Sequence, residues 1–175
     1  DRLQRFSCSP SPPDLSEAGR LVRITLDGDD VLQREEPVVR LGGALVPFPP
    51  GAFLQASQAG ERFLTDAVLT PLANARSVAD LFCGLGTFTL PLAKTAKVLA
   101  VESNAAPLAA LASAASRAKG AKKITTLRRD LMRDPMAPSE LAGHDGVIFD
   151  PPRAGALAQA KALAKSHVPL LVAVS

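Results

Sequence analysis

The residues best placed to do chemistry are a carboxylate and two glycines in Asp80-Leu-Phe-Cys-Gly-Leu-Gly-Thr-Phe-Thr89, which follows a β-type apolar run and opens a helix. Glycines in a strand-to-helix turn let a ligand approach the backbone, because no Cβ stands in the way. A dinucleotide site would need G-x-G-x-x-G with phosphate on the helix N-terminus. Here Thr89 takes the third glycine position after Gly84 and Gly86. Asp80 would also repel a pyrophosphate. A carboxylate at a strand end suits instead a cofactor with a positive centre and a free amine, and S-adenosylmethionine has both.

Two further acids fall where that reading places them. Lys97-Val-Leu-Ala-Val-Glu102 is the next strand-like run and ends in a carboxylate that can accept both hydroxyls of a ribose. NAD sites use the same device, so Glu102 alone does not separate the two cofactors; the first loop does. In Asp145-Gly-Val-Ile-Phe-Asp150-Pro-Pro-Arg-Ala-Gly155 an apolar strand ends in an acid followed by two prolines, which fix φ and stiffen the loop. Ligands of open α/β sheets sit outside the carboxyl ends of the strands. Asp80, Glu102 and Asp150 would line that one edge.

These segments, with Phe53-Leu-Gln-Ala-Ser57 upstream, resemble the RNA uracil-5 methyltransferase family from about Leu41 to Ser175. That family uses S-adenosylmethionine to make 5-methyluridine in transfer or ribosomal RNA. One departure is Ser57, where the family usually has Asn. The resemblance implies cofactor contacts from Gln55, from Asp80, Phe82, Gly84, Gly86 and Thr87 in the loop, from Glu102 to the ribose, and from Asp130 to the adenine amine. It matches Asp150 to the acid that contacts the cofactor beside the reacting groups, and the stiff Pro151-Pro152 loop is expected to aim Asp150 and Arg153 at the methyl group and the target base.

It also implies a two-stage covalent mechanism. Carbon 5 of uracil is a poor nucleophile, so the family adds a cysteine thiolate to carbon 6; the resulting enolate takes the methyl group, a base removes the proton at carbon 5, and the thiolate leaves. That cysteine follows the strand matching Val168-Pro-Leu-Leu-Val-Ala-Val-Ser175, so it and the general-base glutamate are expected beyond Ser175, and this chain alone is expected to be inactive. Cys83, in the cofactor loop, reads as a small buried hydrophobe and Cys8 as an exposed thiol. Two isolated cysteines supply no zinc or iron–sulfur site. If the protein carries the cluster some family members have, its cysteines precede Asp1. His144 and His167 read as surface residues without partners.

The elements that must position these groups are legible in outline. Short antiparallel strands at Leu21–Leu26, Val31–Gln33, Val38–Leu41 and Ala44–Pro47 form a small β-rich part, 1–50. Ser57 caps a helix running to about Asn74, with an apolar stripe of Phe63, Leu64, Ala67, Val68 and Leu72. Strands near 77–82, 97–102, 123–128, 145–150 and 168–174 then alternate with helices near 86–95, 104–118 and 155–165. This alternation predicts an α/β, Rossmann-like doubly wound parallel sheet over 51–175, its last strands lying beyond the chain.

The 175 residues are 47% hydrophobic, enough for one core, and fit a cytoplasmic enzyme domain with no membrane segment and no metal. Net charge is only +3. Arg117, Lys119, Lys122, Lys123, Arg128, Arg129 and Arg133 gather against one acid, Asp130, as either a phosphate-binding patch or a solvated sheet edge. With no Trp or Tyr, base stacking would rest on Phe or Arg. Competing readings are a methyltransferase acting on another RNA base position, an NAD-dependent oxidoreductase, and a binding module without activity. An exocyclic-amine enzyme would place an aromatic where Arg153 stands, and the oxidoreductase is disfavoured by Thr89 and Asp80.

Overall fold

A computed structural model describes residues 22–26 and 29–174. Cys8, Leu21 and Ser175 lie outside the described residues. The compact units are Asp1–Glu36 and Pro37–Ser175. In the first, β1 (Arg23–Leu26) pairs antiparallel with β2 (Asp29–Gln33), with a bulge between Ile24 and Thr25. Asp30 ties the two strands together, accepting from Thr25 Oγ1 at 3.1 Å and facing Arg23 Nε at 3.6 Å.

The second unit begins with the hairpin β3 (Val38–Leu41) and β4 (Ala44–Pro47). The division therefore falls at residues 36/37, where the sequence suggested 50/51. The cause is packing: Leu41 and Val46 are buried among Leu90, Leu108 and Leu111 of the following domain. Helix α1 (Gln58–Leu69) starts as expected at Ser57, whose Oγ accepts from the Gly60 N–H at 3.1 Å, and runs into a 3₁₀ turn at Thr70–Leu72. Its predicted stripe is only partly the buried face. Val68 and Leu72 are buried and Leu64 packs beside them, but Phe63 is 78% exposed and Ala67 is also exposed.

The expected doubly wound sheet is present. Strands β5 (Ser77–Leu81), β6 (Lys97–Glu102), β7 (Ile124–Arg128), β8 (Gly146–Phe149) and β9 (Leu171–Ala173) are all parallel, in the order β7-β6-β5-β8-β9. Chain order reverses between β5 and β8, which makes their C-terminal ends the switch point where such sheets bind ligands. Along β5, Val78 meets one apolar cluster with Phe88 and Leu92, while Ala79 and Leu81 meet another with Leu131, Met136 and Leu163. Both faces are thus covered, as parallel strands require.

Helix α3 (Ala105–Arg117) matches its sequence pattern, with Asn104 Oδ1 accepting from the Ala106 N–H at 3.1 Å, and α4 (Leu157–Leu163) is slightly shorter than expected. Helix α2 is regular only over Thr89–Leu92, against an expected 86–95. Pro91 has no N–H to continue the ladder, so the flanking turns stay irregular. Pro169 likewise delays the last strand to Leu171. Among the described residues no helix is long and apolar enough to cross a membrane.

Candidate active site

Asp80 is the penultimate residue of β5 and is fully buried. Strand alternation turns it, with Val78, towards the face that carries α2. There Thr89 Oγ1 donates to its Oδ2 at 2.5 Å. Thr89 is therefore more than a missing glycine: its hydroxyl clamps the start of α2 to the end of β5. The other oxygen, Asp80 Oδ1, is buried without a hydrogen-bond partner among the described residues. A buried polar atom left unpaired is unusual and points to a missing partner. Desolvation, with Asp150 and Glu102 nearby, raises the Asp80 pKa to about 7 even against the Thr89 bond.

After Leu81 the chain turns sharply. Phe82 takes φ 65°, a left-handed conformation rare for a bulky side chain, and its ring packs edge-on against Phe149 at 5.9 Å. Gly84 and Gly86 follow at φ 53° and 89°. A Cβ on Gly86 would meet Leu111 Cδ1 at 2.5 Å, so Gly86 lets the loop close down on α3, whereas a Cβ on Gly84 would enter open space. The Gly84 backbone is thus bare towards the outside of the loop, and its N–H donates to Glu102 Oε2 at 3.1 Å. Glu102 Oε1 accepts from the Asn104 N–H at 2.8 Å and the Ser103 hydroxyl at 3.0 Å. A carboxylate offers about four acceptor positions, and Ser103 is the most easily exchanged of these three donors.

Asp150 follows β8 directly. Its N–H donates to Leu81 O at 3.4 Å, which sets it beside Phe82, and burial raises its pKa. Arg153 is exposed on the Pro151-Pro152 loop, in a turn closed by the Gly155 N–H on Pro152 O at 2.7 Å. Asp130 lies just past β7; its Oδ1 accepts from the Met132 N–H at 3.0 Å and its Oδ2 faces Arg133 Nε at 3.6 Å. Gln55 is half-buried, and its neighbour Leu54 packs on the cluster beneath the glycine loop that includes Cys83 and Leu85. Thr87 lines a cleft of about 240 Å³ between the loop and α1, with Gln58, Glu61 and Arg62 opposite.

The structure therefore gathers Asp80, Glu102 and Asp150 around one loop, with Phe82 in that loop beside Asp150, and leaves Asp130 on the next strand end. Sequence reasoning missed Thr89 as the Asp80 partner, Ser103 and Asn104 as holders of Glu102, and the α1 side of the Thr87 cleft. The signal for Ser103-Asn104 was present, since an Asn cap beside a strand-end acid has only a few ways to bond. Cys83 is buried, as expected, and desolvation with Asp80 and Glu102 nearby pushes its thiol well above the usual value. It is a poor thiolate source.

Two expectations need correction. His144 is half-buried with a partner: its Nδ1 shares a 3.0 Å hydrogen bond with Ser77 Oγ, and burial lowers its pKa. The seven-cation group also does not act as one patch. Arg129 is held by Asp134 and Glu140 at 2.9 and 2.6 Å, and Arg128, Arg129 and Arg133 lie at the opposite end of β7 from Lys119, Lys122 and Lys123. Among the described residues no group of three His, Cys, Asp or Glu side chains could hold a metal ion.

No protein-family model matches the chain. It is 48% identical over 153 residues to an uncharacterized RNA methyltransferase of Mesorhizobium japonicum, covering 87% of this chain and 37% of that protein. It is 41% identical over 128 residues to the 23S rRNA (uracil(1939)-C(5))-methyltransferase RlmD of Paraburkholderia xenovorans, covering 70% and 27%. The chain thus spans well under half the length of these relatives. Among solved structures it resembles the Pyrococcus abyssi tRNA (uracil-54, C5)-methyltransferase in complex with S-adenosyl-L-homocysteine, with a TM-score of 0.68 and 23% identity over 83% of this chain and 36% of that one. It also resembles the T. thermophilus 16S rRNA N2 G1207 methyltransferase RsmC in complex with AdoMet and guanosine, with a TM-score of 0.54 and 26% identity over 76% and 39%. The five parallel strands, their order and these likenesses together show that the chain carries the class I methyltransferase fold.

Proposed function

We propose that this chain is the cofactor-binding part of an S-adenosylmethionine-dependent RNA methyltransferase that acts on carbon 5 of a uridine in ribosomal or transfer RNA. The observation carrying the proposal is the convergence of Asp80, Glu102 and Asp150 on a loop whose Gly84 backbone is bare. Such a loop fits a ligand with a cationic centre, an amine and a ribose diol. The unpaired Asp80 Oδ1 is the acceptor an ammonium group would satisfy. When bound, S-adenosylmethionine supplies a methyl group on a sulfonium, an electrophile ready for displacement.

The side chains then have distinct tasks. Glu102 holds the ribose, exchanging the Ser103 hydroxyl for a ribose hydroxyl while keeping the Gly84 and Asn104 N–H groups that fix its orientation. Asp130, whose Oδ2 faces Arg133 across 3.6 Å, accepts from the adenine amine. Gln55, Phe82 and Thr87 border the methionine end, and Asp150 and Arg153 face the base. The relatives' names support RNA as substrate, and the RlmD and tRNA enzyme likenesses support carbon 5 of uracil. The Cys83 thiol is too deeply buried and too hard to ionise to serve as the nucleophile. In this reading a cysteine other than Cys83 takes that role.

Calorimetric titration tests the cofactor. The chain should bind S-adenosylhomocysteine and not NAD, and Glu102→Ala should weaken that binding by roughly 1.5–3 kcal/mol, tenfold or more. Tighter binding of NAD would sink the proposal, and an unchanged affinity in the variant would remove Glu102 from the ribose. The target atom has its own test. Full-length protein given S-adenosylmethionine and RNA containing 5-fluorouridine should form a covalent complex stable to denaturation, which Cys83→Ala leaves intact. Methylation of ordinary RNA without that complex would rule out carbon 5.

A further inference from the structure

The sheet has a second charged edge, opposite the glycine loop. Arg76 precedes β5, Lys97 opens β6 and Lys123 precedes β7. Backbone bonds set them side by side: the Lys97 N–H donates to Arg76 O at 2.9 Å and the Val98 N–H to Lys123 O at 2.9 Å. The Lys122 N–H donates to Ala93 O at 2.6 Å, which brings the turn carrying Lys119 and Lys122 against the end of α2, next to Lys94. All six cations are exposed, and none is in an ion pair among the described residues. Asp145 at this edge accepts at Oδ2 from the N–H groups of Arg76 and Ser77 at 2.7 and 3.0 Å, and its charge also acts on Arg76, which leaves the five lysines as the cations without a carboxylate partner among the described residues.

We infer that this N-terminal edge of the sheet is a second RNA-contact face, on which Arg76, Lys94, Lys97, Lys122 and Lys123 hold the phosphate backbone away from the target base. Neighbouring strands lie ~4.8 Å apart, so the cations of three strands span about 10 Å, a distance that several successive phosphates of one RNA strand cover. The segments 94–97 and 117–123 contain no aromatic residue, so the lysines of this face offer charge to phosphates and read no sequence. A concentration of five exposed lysines is notable in a chain whose net charge is only +3. A complementary polyanion is the partner that fits, and the inference rests on the RNA reading given above.

Distance adds a consequence for the substrate. A five-residue strand is about 17 Å long, so this face lies roughly that far from the cofactor edge. One RNA touches both only if it continues for several nucleotides around the domain. A folded RNA can do so and a short oligonucleotide cannot.

The test uses the chain with Lys97, Lys122 and Lys123 all changed to Ala, read in two ways. Affinity for a stem–loop RNA with a uridine in its loop is measured between 50 and 200 mM salt, and affinity for S-adenosylhomocysteine is measured in parallel. The variant should bind the RNA at least tenfold more weakly at low salt, and its dependence of log affinity on log salt should be shallower by about 2, since each lost phosphate contact removes ~0.7. S-adenosylhomocysteine affinity should not change, because the lysines lie at the far edge; this also shows that the variant folds. An unchanged salt slope, or no RNA binding by the parent chain, would overturn the inference. So would tighter binding to vesicles of phosphatidylglycerol in phosphatidylcholine, lost in the variant. If the slope falls as stated while neither protein binds the cofactor product, the contact face stands and the cofactor assignment fails.

Discussion

Asp80→Asn should stabilise the ligand-free chain at pH 8 by about 2 kcal/mol, roughly 4–8 °C in melting temperature, while weakening its affinity for S-adenosylmethionine. The opposition comes from one buried carboxyl. Desolvation raises the Asp80 pKa to about 7, with Asp150 and Glu102 adding to it and the Thr89 bond opposing it. In the unfolded chain the same group titrates near 4. Below pH ~4 both states hold the proton and folding is not opposed. As pH rises from ~4 towards 7 the unfolded chain has released its proton while the folded chain retains it, so stability falls across that window. Above 7 the folded chain carries a buried charge with one oxygen unpaired.

Asparagine removes that charge and keeps an acceptor for the Thr89 hydroxyl, but leaves an amide without a partner, which returns part of the gain. The measurement is thermal melting of parent and variant from pH 4 to 8. The difference between them should be small at pH 4 and grow towards 7, and parallel curves would refute a titrating Asp80. A cation arriving at the loop does the reverse of burial: it favours the ionised carboxylate. Parent affinity for S-adenosylmethionine should therefore rise through pH 7, and that rise should vanish in the variant. A group that destabilises the empty fold and is relieved by its ligand is the kind of strain that functional sites retain.

Much of the frame was legible because the strands β5, β6 and β8 are buried on both faces and read as unbroken apolar runs ending in acids. Ser57 announced its helix by local bonding alone. What stayed hidden depends on contacts between distant segments. Nothing near Phe63 reveals that Val68 and Leu72 take the buried side of α1 and leave Phe63 in water. The hairpin Val38–Pro47 joins the larger unit because Leu41 and Val46 find Leu90 and Leu111, some 45 to 70 positions later. The basic run from Arg117 to Arg133 looked continuous, but a strand crosses it and carries its two halves to opposite edges. Thr89 looked like a defect in a glycine pattern until its hydroxyl met Asp80.

Asp150→Asn should lower kcat for RNA methylation a hundredfold or more while changing cofactor affinity less than threefold. Asp150 stands at the switch point, one residue past β8 and beside Phe82, with Pro151 and Pro152 limiting how far it can swing. Burial raises its pKa above the usual carboxylate range. Asparagine matches its shape and its neutral form but cannot take up a proton or carry the charge. A group that only held the cofactor would lose binding and turnover together; a group acting on the base loses turnover alone. Isothermal titration with S-adenosylhomocysteine and initial-rate kinetics on RNA, both on the RNA-methylating form of the protein, separate the two cases. Equal losses would make Asp150 a cofactor ligand. The pH profile of kcat adds a check, since removing a carboxyl that titrates above its usual range should flatten the acid limb of the parent enzyme.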